Sequence, residues 1–176
     1  MNQWLNFYEM DNSSVLSRIE NFVPYHEKLG SILLNDSLLD IVSELMGEQA
    51  VLYKDRFNFK PPGGGAHAAH QDGVAYESSA LEKFNSDNPN FSKITQQIED
   101  ELSWKQIETD PRDVILFTER LPHRSKTNRT DKSRRILYGV YNPLSEGDKR
   151  TTYFDDKRKN INDARYMVGN PHAPVK

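Results

Sequence analysis

The chain of 176 residues contains no cysteine. Disulfides, zinc–thiolate sites and thiol nucleophiles are therefore excluded. No apolar run approaches the ~20 residues that a membrane helix needs. The opening residues, Met1-Asn2-Gln3-Trp4-Leu5-Asn6, lack the basic and then apolar regions of a signal peptide. A basic excess is missing too. Lys and Arg number 23 against 26 Asp and Glu, a formal charge of −3, so the electrostatic footprint of a nucleic-acid binder is absent. No internal repeat or low-complexity tract is present. What remains is globular material, 36% hydrophobic and 28% charged, enough for one domain with its own core. These features predict a cytoplasmic protein with no membrane, nucleic-acid or obligate protein partner.

Periodicity supplies the elements. A helix is expected from Asp36 to Met46, capped by Asn35 or Asp36 and ended by Gly47, with Leu38, Val42, Leu45 and Met46 facing the core. From Tyr53 to Lys60 the residues alternate, which predicts a strand with Tyr53, Asp55, Phe57 and Phe59 on one face. The other face, Lys54, Arg56, Asn58 and Lys60, is unusually polar. Pro61-Pro62-Gly63-Gly64-Gly65 ends that strand. Phe91–Leu102 reads as a helix, Asp113–Phe117 as a short strand, and Arg135–Tyr141 as a strand ended by Asn142-Pro143. The charged tail after Ser145 is expected on the surface. The domain expectation is a single unit, 1–176, with a helical N-terminal part (1–49), a β core (50–145) and a C-terminal tail (146–176).

One constellation carries chemistry. His70 and Asp72 are separated by one residue, and on a strand such residues point to the same side. With His123 from another strand they would make two histidines and one carboxylate on one face of a metal ion. That arrangement leaves three positions open, as Fe(II) oxygenases require for a chelating co-substrate and O₂. His-x-Asp alone says little, since it arises by chance in roughly one such chain in three or four. The segment from Asp113 to Tyr138 adds weight. A strand leading to His123, a polar turn and a strand starting near Arg134 would form an antiparallel pair, with Arg134 level with His123. A guanidinium can clamp a carboxylate through two parallel hydrogen bonds, which suits the far end of a dicarboxylic co-substrate. Ser125 could add a further hydrogen bond.

The segments LYKDRFNFKPPGGGAHAAHQDGVAY and DVILFTERLPHRSKTNRTDKSRRILYGVYNPLSEGD resemble the phytanoyl-CoA dioxygenase family. The resemblance implies a mainly β fold with flanking helices, a double-stranded β-helix (jelly-roll), complete or short of some strands. It implies Fe(II) and 2-oxoglutarate as cofactor and co-substrate. By position, His70, Asp72 and His123 match the family's iron ligands, Arg134 the arginine on the 2-oxoglutarate C5 carboxylate, and Ser125 a co-substrate contact. Arg56 and Asn58 fall where co-substrate or substrate contacts are expected, with Lys54 further along that face. The chain departs from the family between Glu77 and Asp110, where no convincing strand is seen, and at Pro111-Arg112-Asp113, which stands for a Pro-Gly-Asp turn. Arginine does not comfortably take a turn position that needs φ > 0.

The implied activity is hydroxylation of a small organic molecule. Arg56, Lys60, Arg120, Arg124, Lys126 and Arg129 would suit an anionic substrate if they face the pocket, though a solvated basic surface explains them as well. The wording around His70-Gln71-Asp72 is closer to bacterial small-molecule and phosphonate hydroxylases than to the acyl-CoA enzyme. The alternative is a truncated, non-catalytic relative that binds metal or a carboxylate without turnover. A third class, a cupin-like isomerase or zinc hydrolase on the same ligands, would have no use for Arg134 and Ser125.

Overall fold

The structure, a computed structural model, describes residues 4–8, 15–75 and 94–161. In chain order its elements are β1 (Leu5–Tyr8), β2 (Leu16–Glu20), α1 (Glu27–Leu33), α2 (Asp36–Met46), β3 (Ala50–Lys60), β4 (His67–His70), α3 (Gln96–Glu101), β5 (His123–Ser125), β6 (Arg134–Pro143) and α4 (Arg150–Lys159). The chain divides into two compact units. One is Met1–Gly64, Asn128–Asp163 and His172–Lys176, and the other is Gly65–Thr127 and Ala164–Pro171. Among the described residues the strands form a four-stranded and a two-stranded sheet and no closed barrel. No helix among them is long and apolar enough to cross a membrane.

The first unit is built on an antiparallel sheet of order β1-β2-β3-β6. The first 49 residues, expected to be helical, therefore also supply two strands. Both are short and mixed in character, so their period-2 signal is weak. β3 runs against β6 from Ala50 opposite Pro143 to Lys60 opposite Arg134, with a bulge where Leu52 and Lys54 face neighbouring residues, Tyr141 and Val140. A bulge adds one residue to one strand, so the alternation resets at Tyr53. Leu52 and Phe57 thereby share the apolar side with Phe22 and Leu33, and Ile19, Leu137 and Tyr141 pack around them.

α2 begins at Asn35, whose side chain accepts from Leu38 N, and ends at Gly47 with φ +77. Its buried stripe centres on Val42. Leu45, expected in the core, is 70% exposed because it lies at the edge of that stripe in the last turn. Tyr141 donates its hydroxyl to the Leu33 carbonyl at the end of α1, 2.8 Å away, and burial pushes that phenol up to about 12. The Pro-Gly run makes a tight turn in which Gly64 N donates to Pro61 O and Gly63 holds φ +76. Asn128 pins this turn by donating to Lys60 O and Lys132 O.

The polar face of β3 is buried rather than solvated. Glu20, with no exposure, has its carboxylate 3.1 Å from Arg18 Nε, 3.4 Å from Arg56 Nε and 2.5 Å from Lys157 Nζ. Burial alone would raise the Glu20 carboxyl. The charges of Lys157, Arg18, Lys54 and Arg56 outweigh that and hold it well below the usual carboxylate range. Burial pushes the Lys157 amine down to about 8, Arg18 to about 10 and Lys54 well below the ordinary lysine range. Lys157 belongs to α4, which also buries Tyr153 and Phe154, so the tail expected on the surface forms part of this core. On the apolar side, Asp55 accepts hydrogen bonds from Phe22 N (2.7 Å) and Val23 N (3.2 Å) and pairs with Arg150.

In the second unit β4 and β5 form an antiparallel ladder. α3 is capped by Thr95, and Ile94 N donates to Ala69 O of β4 at 2.9 Å. The helix expected over Phe91–Leu102 is thus confined to Gln96–Glu101, with residues 91–93 outside the described set. Asp113–Phe117, expected to be a strand, lies in none. Val114, Ile115, Leu116 and Phe117 are 68%, 49%, 44% and 42% exposed. A run of strand formers makes a strand only where a partner ladder takes its backbone groups. Asp113 N donates to Asp110 O across a turn in which Arg112 holds φ +90, the left-handed region that the sequence disfavours there.

Replacing Glu20 by Gln leaves Arg18, Arg56 and Lys157 buried without the carboxylate they share, and should cost about 3–5 kcal/mol in chemical denaturation at pH 7. The folded pKa of Glu20 is depressed, so its contribution is complete above the ordinary carboxylate range and is lost as pH falls through the depressed value. The Glu20→Gln variant should accordingly lose less stability than wild type between about pH 5 and pH 2. Arg112→Gly relieves the positive φ and should raise stability by about 0.5–1 kcal/mol, net of the added freedom of the unfolded chain.

Candidate metal centre

The pairing of β4 with β5 sets His70 directly opposite His123, and His67 opposite Ser125. The two imidazole rings lie 4.2 Å apart between centroids. Asp72 is not on the strand, as its spacing from His70 suggested. β4 stops at His70, and Asp72 opens a single 3₁₀ turn, Asp72–Ala75. Two bonds from the turn before β5 hold this corner. Gln71 Nε2 donates to Arg120 O, and Gly73 N donates to Glu119 O at 3.0 Å. The corner aims the carboxylate back between the rings, with Asp72 Oδ1 3.8 Å from His70 Nε2 and Oδ2 3.7 Å from His123 Nε2.

Both histidines are oriented for ligation. His70 Nδ1 lies 2.7 Å from Ala68 O, and His123 Nδ1 lies 3.0 Å from Leu121 O. A carbonyl oxygen only accepts, so each Nδ1 carries the hydrogen and each Nε2 presents a lone pair. Carbonyl partners of this kind fix the tautomer and ring orientation of metal-bound histidine. One ligand atom from each of His70, Asp72 and His123 lies within 4.8 Å of the other two. Two atoms bound to one ion at about 2.1 Å stand no more than about 4.2 Å apart. The carboxylate–imidazole separations already meet that limit. The donor set, two neutral nitrogens and one carboxylate, fits Fe(II).

The remaining expected residues fall in different surroundings. Ser125 lies on β5, its hydroxyl 3.2 Å from His67 Nδ1. Arg134 opens β6 in the first unit, and the antiparallel hairpin expected between its strand and that of His123 is not the pairing found. β5 pairs with β4, and β6 with β3. Arg56 pairs with Glu20. Asn58 carries a buried amide oxygen that accepts no hydrogen bond among the described residues. Lys54 and Lys60 are buried, Arg120 lies beside Glu119, and Lys126 and Arg129 are exposed. Tyr76 and the stretch 77–93 lie outside the described residues. Sequence reasoning passed over His67, Gln71 as a corner tie, and the contacts of Glu99 and Trp104 with Arg124. Hydrogen bonds to main-chain carbonyls leave no residue pattern, so Gln71 carried no signal. His67, three residues before His70, did carry a visible one.

Two histidines on paired strands and an aspartate at the corner just beyond one of them, in a sheet-rich fold, define a non-haem Fe(II) oxygenase type of centre. The comparisons agree. A family model for phytanoyl-CoA dioxygenase (PhyH) matches residues 77–136. The chain is 36% identical to the 2-aminoethylphosphonate dioxygenase of uncultured bacterium HF130_AEPn_1, over 89% of this chain and 71% of that protein. It is 34% identical to the methylphosphonate hydroxylase of Gimesia maris, over 90% of this chain and 71% of that protein. Among solved structures, EctD from S. alaskensis with bound Fe superposes with a TM-score of 0.65 at 17% identity. That match covers 80% of this chain and 61% of EctD, so the chain spans less than two thirds of that structure. The likeness shows the fold, a jelly-roll. The chain belongs to the phytanoyl-CoA dioxygenase family of Fe(II)- and 2-oxoglutarate-dependent oxygenases.

Replacing His70 or Asp72 by Ala should weaken Fe(II) binding on the order of 100-fold or more, beyond the roughly 10–100-fold that loss of a ligand's hydrogen-bond partner costs. Ser125→Ala should leave it within a few-fold. Anaerobic calorimetric titration measures both. Fe(II) at about 100 times its Kd should stabilise wild type by about 2.7 kcal/mol and the His70→Ala variant by far less.

Proposed function

We propose that this chain is a hydroxylase of small phosphonates, with His70, Asp72 and His123 holding Fe(II). The observation that carries the reading is the convergence of these three side chains, each imidazole locked in the ligating tautomer, in a chain over a third identical to a 2-aminoethylphosphonate dioxygenase. Bound Fe(II) and 2-oxoglutarate supply the oxidising chemistry when O₂ is present. The residues of the chain bind and orient. Arg134 is assigned to the far carboxylate of 2-oxoglutarate, with Ser125, Asn58 and Arg56 as further co-substrate contacts. The family pattern and the chemistry of a guanidinium fork support this. Arg120 and Lys126, exposed in the unit that bears the triad, offer cations to an anionic phosphonate. A reducing compartment such as the cytoplasm suits Fe(II) and a chain without cysteine.

A second reading, ligand binding without turnover, is favoured by one observation. The apolar run Val114–Phe117 leads toward His123 with its side chains largely open to solvent. Oxygenase chemistry needs water excluded from the reacting centre.

Anaerobic titration with Fe(II) and 2-oxoglutarate should produce a charge-transfer band at about 500–530 nm, as chelation at such a site gives. Arg134→Ala should raise the 2-oxoglutarate concentration needed for that band by tenfold or more, since a charged hydrogen-bonded partner is worth about 1.5–3 kcal/mol. With O₂ and 2-aminoethylphosphonate or methylphosphonate, succinate should accumulate in step with hydroxylated product. A band with no substrate-dependent succinate selects the second reading. No band from a folded sample removes both.

A further inference from the structure

Beside the triad lies a cluster that the proposed chemistry does not use. Arg124 follows His123 on β5, and neighbouring strand residues point to opposite faces. Its side chain therefore leaves the strand on the side away from the His123 imidazole. There Arg124 Nη1 pairs with Glu99 Oε1, and its guanidinium carbon stands 4.1 Å from the centre of the Trp104 ring. Trp104 Nε1 donates to the Glu99 main-chain carbonyl at 2.9 Å, so the ring is tied to the backbone of the residue that carries the carboxylate. Cation–ring and cation–carboxylate contacts on one guanidinium suit the planar arginine fork and not a lysine amine.

The same segment reaches the other strand. Ile94 N donates to Ala69 O, the residue just before His70 on β4. Residues 94–104 thus tie to β4 next to one histidine and to β5 next to the other. Among the described residues the ladder they span has two paired positions, His67 with Ser125 and His70 with His123, with a shift of register between them. A two-stranded ladder is marginal by itself in water. The opposition of His70 and His123 therefore needs support from outside the ladder.

We propose that Arg124 is a positioning residue for the metal centre, acting through β5 to hold the His123 imidazole opposite His70, with Glu99 and Trp104 as its clamp. The proposal rests on His70, Asp72 and His123 being the metal ligands. It predicts that the affinity of the folded protein for metal, and not only its stability, depends on residues that touch no metal.

The test uses the full chain and Co(II), whose visible absorption reports binding without activity. For wild type, Arg124→Met, Arg124→Lys, Trp104→Leu and His123→Ala, the Co(II) Kd and the metal-free unfolding midpoint are measured together. Arg124→Met and Trp104→Leu should each raise the Kd by roughly tenfold, the lower end of the loss seen when a ligand's orienting partner is removed. Their double variant should lose little more than either alone, because both cut the same clamp. Arg124→Lys, which keeps the charge beside Glu99 but not the stacked plane, should fall between wild type and Arg124→Met. A folded Arg124→Met protein with wild-type Kd and only a lower unfolding midpoint overturns the proposal. Should Arg124→Met not fold, Arg124→Lys decides, since an unchanged Kd overturns and a two- to fivefold rise supports. His123→Ala separates the two levels. Wild-type Co(II) binding by that variant overturns the ligand assignment itself, whereas lost binding there with an unchanged Arg124→Met overturns the Arg124 proposal alone.

Discussion

Glu20 and Asp55 lie on neighbouring strands, β2 and β3, with no exposure to solvent, and the four-stranded sheet is organised around giving both side chains partners. A carboxylate taken out of water is tolerated only when opposite charge and hydrogen-bond donors surround it. Glu20 obtains these from Arg18 on its own strand, Arg56 on β3 and Lys157 on α4. Asp55 obtains them from the backbone after β2 and from Arg150 at the start of α4. The two acids serve opposite sides of β3. Between them they bind the C-terminal helix to the sheet, which explains why a helix as polar as Arg150–Lys159 packs at all. Its sequence offers almost no apolar stripe, and its buried lysine is held by charge.

The metal centre follows a different logic. There the polar groups converge on a point left for an ion, and their own hydrogen bonds point away from it. Each histidine spends its N–H on a carbonyl two residues earlier in the chain. That local bond costs no distant partner, so the tautomer is preset wherever the strand forms. What the local bonds cannot do is bring the two strands together. The corner at Gln71–Gly73, tied to Glu119 and Arg120, and the segment around α3 perform that task across 25 to 49 residues of chain. This division is general for sites with few rungs of sheet, because ligand orientation is local while ligand separation is tertiary.

Much of the fold was legible. α2 was marked by a capping Asn35, a terminal Gly47 and an apolar stripe between, signals contained within about a dozen residues. β3 was marked by alternation, and both β3 and β6 by the prolines that end them. The chemistry of the site was legible as well, since two histidines, one aspartate and an arginine in a familiar order constrain both metal and co-substrate. The polar face of β3 was noticed, but its burial was not foreseeable, because Glu20 and Lys157 come from opposite ends of the chain. Asp113–Phe117 failed for the complementary reason. It has every strand-forming residue, yet a strand exists only in a ladder, and the ladder partner is not a property of the five residues themselves.

The sequence by itself determined the ligand types, the order in which they occur, the family and hence the class of reaction, since these depend on which atoms are present and how closely they are spaced. Only the tertiary structure decided that Asp72 leaves the strand, that the strand of His123 pairs with that of His70, that α4 is part of the core, and that Arg124 is clamped by Trp104 and Glu99. Each of these is a contact between segments far apart in the chain. Such contacts are selected by the burial of charge and apolar surface over the whole molecule, a sum that no local stretch of residues contains.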